Sequence, residues 1–184
     1  MGKPQGPFPA SILRAAEVEL EREQKAEEGK KRLKQRLELY KLREKCEVPA
    51  DGNCQFLAIS NQLCDSFELA PKLRRDAVSW LREHSDWDTG NDATLVDFVG
   101  TDWQSYCDTM ARSGIWGDHL TLIALSEILG AKISVLSSVE GDQYITEIVP
   151  KVITQKRVLL LSHFAEFHYG SLAYITDQAT PGKK

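Results

Sequence analysis

Cys54 combines the most reactive side chain in the sequence with the most suggestive local setting. It follows Pro49-Ala50-Asp51-Gly52-Asn53, a turn by composition. It opens a run in which Phe56, Ile59, Ser60 and Leu63 recur at helical spacing. A thiol at a helix start meets the positive end of the macrodipole and the free amides of the first turn. Both favour the thiolate, the nucleophilic form. The amides around Gly52, Asn53 and Cys54 are placed to face a developing oxyanion, and Gly52 has no side chain to block the approach. The same pattern also describes a structural cysteine beside an ordinary turn, the commoner use of a free cysteine.

A cysteine nucleophile needs a base, usually histidine. The sequence offers His84, His119, His163 and His168. His84 falls in a polar region and is expected to be exposed. His119 begins a helix, His163 ends a strand, and His168 sits in the last strand between Phe167 and Tyr169. A cysteine at an early helix start with a histidine on a late strand is the order of papain-like peptidases, in which the two meet in space. Taken alone, His168 also reads as a half-buried sheet histidine. Other chemistries lack their residues. Cys46, Cys54, Cys64 and Cys107 show no C-x2-C spacing and no histidine pair lies at i, i+4, so no metal site is expected. No glycine loop for phosphate and no G-x-S-x-G turn occurs.

These residues need elements to carry them. Residues 1–10 hold three prolines and two glycines and read as a flexible tail. Residues 11–45 form a charged N-terminal helix by composition, without proline and with Gly29 as the one glycine. Its middle has little to bury, and Leu33, Leu37 and Tyr40 then make an apolar stripe. A solvated helix whose last turns dock is expected; a coiled-coil partner site is the alternative. Residues 46–176 form the folded domain. Helices are expected over 54–63, 73–83 (opened by Pro71), 101–112 and 119–129. The last is capped by Asp118 or its neighbour and ended by Gly130. Strands follow over 132–136, 143–149, 157–162 and 167–175. Helices first and a run of antiparallel strands afterwards imply α+β. Residues 177–184 read as a second tail.

A length of 184 residues, with 42% hydrophobic and 27% charged, allows one domain with an appendage. No apolar run approaches the ~18–20 residues of a membrane span. The first residues lack a signal-peptide stretch, and Gly6 breaks the myristoylation pattern. The net charge of −4 argues against a dedicated nucleic-acid binder. Four cysteines do not make a disulfide scaffold. A soluble protein of a reducing compartment is expected, cytoplasmic, with the nucleus also open to it. Residues 14–45 carry 11 of the 23 basic and 8 of the 27 acidic residues, whereas 46–184 carry 11 basic and 19 acidic. The folded part is therefore acidic and favours a basic partner.

Three segments in order, Asp51-Gly52-Asn53-Cys54-Gln55-Phe56, Trp116-Gly117-Asp118-His119 and Glu166-Phe167-His168-Tyr169, together resemble the ovarian-tumour (OTU) cysteine peptidases, which are deubiquitinases. Residues 36–53 and 159–171 look most like the plant- and protist-type branch. The resemblance spans about residues 36–175. It implies a papain-like α+β domain, with helices flanking a twisted, mostly antiparallel central sheet, behind a long N-terminal helix. It implies Cys54 as nucleophile, His168 as general base and Asp51 as the acidic member, with Gly52 and Asn53 shaping the oxyanion hole. Trp116 and Gly117 match the rim of the channel for the ubiquitin tail, and Gln55 and Phe56 the positions that hold Cys54. No cofactor is implied. The implied substrate is ubiquitin or polyubiquitin, with no nucleic acid and no membrane as partner. The N-terminal helix is a candidate protein contact. One departure stands out: many members carry Asn or Asp two residues after the histidine, and here that residue is Gly170. Glu166, which shares a strand face with His168 by period two, is a candidate substitute. A ubiquitin-binding domain that has lost turnover is the alternative function. A helix-mediated interaction protein is a third.

Overall fold

The computed structural model describes residues 10–175 apart from 91 and 166. Helix α1 (Ala10–Leu39) is built almost wholly of strong helix formers. Its first half leaves Ile12, Val18 and Leu20 exposed. Its second half docks. Gly29 lets it approach Phe164, whose ring would lie 3.0 Å from a Cβ at 29. Arg32 Nε donates to Ser138 O at 2.9 Å, and Arg36 Nη1 donates to Ser137 O and Val139 O at 2.6 and 2.7 Å. Leu33 and Leu37 pack on Leu42, Leu136 and Leu172.

The helix expected to reach Lys45 ends at Leu39. Lys41 takes a left-handed φ of 53°, and Leu42–Glu44 becomes strand β1. Burial of Leu42 against Leu136 and Leu172 outweighs helix propensity, and three residues are too few to show period two in the sequence. The expected tails lie outside the described residues, except that Ala10 opens α1.

Helices α2 (Cys54–Cys64), α3 (Ala70–Glu83), α4 (Trp103–Met110) and α5 (His119–Leu129) follow, then β2 (Ile133–Ser137), β3 (Ile145–Ile148), β4 (Leu159–Phe164) and β5 (His168–Tyr174). Helix α5 has the expected ends. The Asp118 carboxylate accepts from Thr121 N, and Gly130 takes a φ of 57°. The strands form one sheet in the order β1-β5-β4-β2-β3. Its pairs are antiparallel except β2 with β4. The sheet is thus mostly antiparallel, as expected, with one parallel pair. After the β2–β3 hairpin the chain runs back, with Thr154 N and Gln155 N both donating to Gly130 O, and starts β4 beside β2. One face of the sheet packs on α2 and α5, with α3 behind them, around Phe56, Ile59, Leu81, Leu125, Ile133 and Leu161, all fully buried. Among the described residues no helix is long and apolar enough to cross a membrane.

A polar latch sets α2 against β5. Gln62 Nε2 donates to Ser171 Oγ and Leu172 O at 2.8 and 2.7 Å, and its Oε1 accepts from Leu160 N at 3.1 Å. Ser171 Oγ donates to Asn61 Oδ1 at 2.7 Å. The Gln62 amide fills the place where the β4–β5 ladder, last paired at Leu161 and Ser171, opens. Buried polar groups of this kind accept few alternative arrangements. The helix that begins at Cys54 is thereby registered against the strand that begins at His168.

Candidate active site

Cys54 is the first residue of α2 and is 5% exposed. The turn before it is over-determined. Asn53 N donates to Asp51 Oδ1 at 2.9 Å. Gly52 has a φ of 80°, and a Cβ there would fall 1.9 Å from Gly114 O. Only glycine fits, for conformation and for space. Asn53 Oδ1 accepts from Gly114 N at 3.1 Å and from Ser113 Oγ at 3.3 Å. The Asn53 N–H, expected among the oxyanion donors, is thus occupied by Asp51. The N–H groups of Gly52 and Cys54 have no acceptor among the described residues. These two amides remain available to an anion at the head of the helix. The bond from Asn53 N–H is also the chief reason that the Asp51 carboxyl is held below its usual range.

A residue not among the sequence candidates ties this turn down. Arg74, on α3, is 4% exposed. Its Nη2 donates to Gly52 O, Asn53 Oδ1 and Ile115 O at 3.1, 2.9 and 2.7 Å, and its Nη1 donates to Met110 O at 3.0 Å. The guanidinium lies 4.1 Å from the Phe56 ring centroid. Burial lowers its pKa, while the negative charges of Asp51 and Cys54 push it back up. One signal was present in the sequence: Arg74 stands inside the apolar stripe Leu73, Ala77, Val78, Leu81, where a charge is out of place unless it has partners.

Gln55 and the 116–119 segment meet behind the cysteine. Gln55 is fully buried. Its Nε2 donates to Asp118 O at 3.0 Å, and its Oε1 accepts from Thr121 Oγ1 at 2.7 Å. Gly117 lies so close that a Cβ would sit 2.3 Å from Gln55 Oε1. Tyr106 OH donates to the Asp118 carboxylate at 2.9 Å. Phe56 is in the core, as expected, whereas Trp116 is 54% exposed.

His168 opens β5 and is half-buried. It lines a groove of about 630 Å³ with Glu44, Cys46, Glu47, Val48, Ala50 and Gly170. Burial lowers its pKa. Its Nδ1 is buried and has no hydrogen-bond partner among the described residues. Tyr169, the next residue, packs on the core around α2. Its phenol is pushed up chiefly by burial and also by the charges of Asp118 and Cys54. The structure therefore brings the strand of His168 alongside the Cys54 turn, with Ala50 at the groove and Cys54 four residues further on. No hydrogen bond joins Cys54 Sγ to the imidazole. Glu166 lies outside the described residues. His119, at the first turn of α5, is exposed, and the remaining two histidines are engaged elsewhere. His84, expected to be exposed, is half-buried and stacks on Trp80 with centroids 4.2 Å apart. His163 Nδ1 is 3.1 Å from Ser137 Oγ.

An α+β domain with a cysteine at the head of a central helix, backed by a late antiparallel strand bearing histidine, belongs to the cysteine-peptidase class of folds. The OTU-like cysteine protease family matches residues 49–170, and the chain is a member of that family. It is 38% identical over 154 residues to ovarian tumor domain-containing deubiquitinating enzyme 10 of Arabidopsis thaliana, covering 84% of this chain and 41% of that protein. This chain thus spans about two fifths of that relative's length. The OTU domain of OTUD1 superposes with a TM-score of 0.57 at 20% identity, covering 80% of this chain and 93% of that one. The Hazara virus OTU, solved bound to ubiquitin, superposes with a TM-score of 0.54 at 18% identity, covering 73% and 82%. At such identities the structural likeness speaks for the fold.

Proposed function

We propose that this chain is a deubiquitinase that hydrolyses the isopeptide bond at the C-terminal glycine of ubiquitin or of ubiquitin chains. The observation that carries the reading is the match to the cysteine-protease family over residues 49–170, in which Cys54 stands at the head of a helix between two free amides and His168 stands on the adjoining strand. Cys54 thiolate attacks the carbonyl carbon of the terminal glycine. The Gly52 and Cys54 amides receive the oxyanion. His168 imidazolium gives its proton to the departing lysine amine, and the C–N bond breaks. The neutral imidazole then takes a proton from water, which attacks the thioester and releases the ubiquitin carboxylate and the thiol. Asp51 and Asn53 act through the turn they hold. Trp116 and Gly117 rim the channel for the tail. The chemistry needs no metal or cofactor.

The acidic balance of residues 46–184 supports recognition of a protein face with surrounding basic residues, such as that of ubiquitin in the OTU resemblance. Rising ionic strength should then raise KM. The exposed Ile12, Val18 and Leu20 of α1 support a second protein contact there, in the cytoplasm or the nucleus. A second reading, a ubiquitin-binding domain with impaired turnover, is favoured by Gly170 and by the missing Cys54–His168 hydrogen bond. Catalytic hydrogen bonds in unliganded enzymes are often long, however, and tighten only with substrate. One experiment separates the readings. Wild type, Cys54→Ala and His168→Ala are compared on a panel of di-ubiquitins and with a ubiquitin carrying a C-terminal electrophile. Cleavage and Cys54 labelling by wild type alone support the peptidase; binding without either supports the impaired domain.

A further inference from the structure

Gly170 follows His168 by two residues and shares its face of β5, yet the space in front of it is filled. A Cβ at 170 would lie 2.5 Å from Glu44 Oε2 and 2.4 Å from Ser162 Oγ. Glu44 reaches this place from β1, where it pairs with Leu172 of β5. Ser162 Oγ donates to Glu44 Oε1 at 2.7 Å. Glu44 and His168 line the same groove, and it is the imidazole Nδ1, the atom an orienting acceptor would hold, that is buried without a partner among the described residues.

We propose that Glu44 is the positioning residue for His168, supplying from the neighbouring strand the acceptor that Gly170 cannot carry. The proposal rests on Cys54 and His168 being the catalytic pair. A carboxylate facing Nδ1 fixes the tautomer with Nδ1–H and leaves Nε2 free to exchange a proton with the thiol. It also stabilises the imidazolium formed during the reaction. The two groups are not hydrogen-bonded in the unliganded chain; they pair as positive charge develops on the ring. Much of the Glu44 side chain is open to solvent, but its carboxylate end is packed between Gly170 and Ser162. This desolvation pushes the carboxyl above its ordinary range, against the Ser162 bond. Burial pushes the His168 ring the opposite way. Each group resists being charged alone, and a pair formed between them in the reaction would relieve both. The other titratable groups lining the groove are Cys46 and Glu47, which follow Glu44 out of the strand. Asp51 is engaged elsewhere: its carboxylate accepts from Asn53 N and lines a separate pocket with Arg74.

Glu44→Gln tests this, because the amide keeps an acceptor for Ser162 but loses the charge. The substrate is ubiquitin with a fluorogenic C-terminal amide. kcat should fall about 100-fold with KM within about twofold of wild type. The His168 imidazole, followed by NMR, should titrate at lower pH than in wild type. Glu44→Asp keeps the charge, serves as a folding control, and should retain more activity than Glu44→Gln. In a Glu44→Ala/Ser162→Ala background, adding Gly170→Asn should restore part of kcat, since the vacated space then accepts the side chain. Unchanged kcat together with an unshifted His168 titration in Glu44→Gln overturns the proposal. Failure of the wild type to cleave or to be labelled at Cys54 overturns the catalytic reading instead, while the titration still decides whether Glu44 couples to His168.

Discussion

Arg74 Nη2 donates to Asn53 Oδ1 at 2.9 Å, so a buried cation on one helix holds the residue immediately before Cys54 on another. The same guanidinium takes the carbonyls of Gly52, Met110 and Ile115, and so joins the cysteine turn to the segment leading to Trp116. Replacing Arg74 by Met would leave those carbonyls without a donor in the interior. The loss should be about 3–5 kcal/mol of stability, the range for several broken buried polar contacts. Arg74→Lys should recover little of it, because one ammonium cannot reproduce the planar fork. Urea unfolding midpoints of the three proteins check this; a Lys variant as stable as wild type would contradict it.

Gly52→Ala should abolish most activity. The substitution requires a left-handed backbone for alanine and places a methyl group 1.9 Å from Gly114 O. The turn must move, and with it the Gly52 and Cys54 amides. Losing one oxyanion donor costs on the order of 100- to 1000-fold in kcat, and this change disturbs both. Steady-state kinetics on the fluorogenic ubiquitin amide measures it. Gly114→Ala is the comparison: a Cβ there meets nothing closer than Asp51 O at 3.6 Å, so only its positive φ opposes the change, and the loss should be smaller.

Gly170→Asn, which supplies the side chain that the OTU resemblance implies two positions after the histidine, should lower activity rather than raise it. Its Cβ would collide with Ser162 Oγ and the Glu44 carboxylate. A gain in kcat/KM in this single variant would contradict the account of that space.

Acid should destabilise the fold through its half-buried histidines. Burial lowers the pKa of His163 and of His168, so below the ordinary imidazole value of about 6.5 the unfolded chain binds protons that the folded chain resists. Stability then rises with pH across that window. It is fully present above the unfolded value and is lost as pH falls toward the depressed folded values. Glu44, whose carboxyl is raised by burial, works in the opposite sense in the carboxylate range. His163→Gln should reduce the fall in unfolding midpoint between pH 7 and pH 5.5, without touching the Cys54 turn. By the same sign, the neutral, base-competent form of His168 should persist below pH 6.5, and the acid limb of kcat/KM should lie there.

Much of the site was legible because its parts are local. A helix start is written in a few neighbouring residues, and Asp51-Gly52-Asn53 before Cys54 placed the head of α2 correctly. Asp118 and Gly130 marked both ends of α5, because capping involves only residues within one turn. The departures are all non-local. β1 was absorbed into the helical run before it, since its strand character comes from pairing with β5, more than a hundred residues on. Which pair of the mostly antiparallel sheet is parallel, β2 with β4, was likewise not written locally, because it depends on where the 149–158 return runs.

The identity and order of the reactive groups belong to the sequence: a cysteine after a turn, a histidine on a late strand, and a glycine where a side chain would ordinarily follow. Which groups surround them was decided only in three dimensions. Arg74 shows in the sequence only as a charge within an apolar stripe; its partners in the cysteine turn appear once α3 buries it there. Glu44 looks like helix until β1 carries it across to the empty side of Gly170. Hydrogen bonds and ion contacts act over a few ångströms, and sequence separation says nothing about that distance until the sheet and helices have closed.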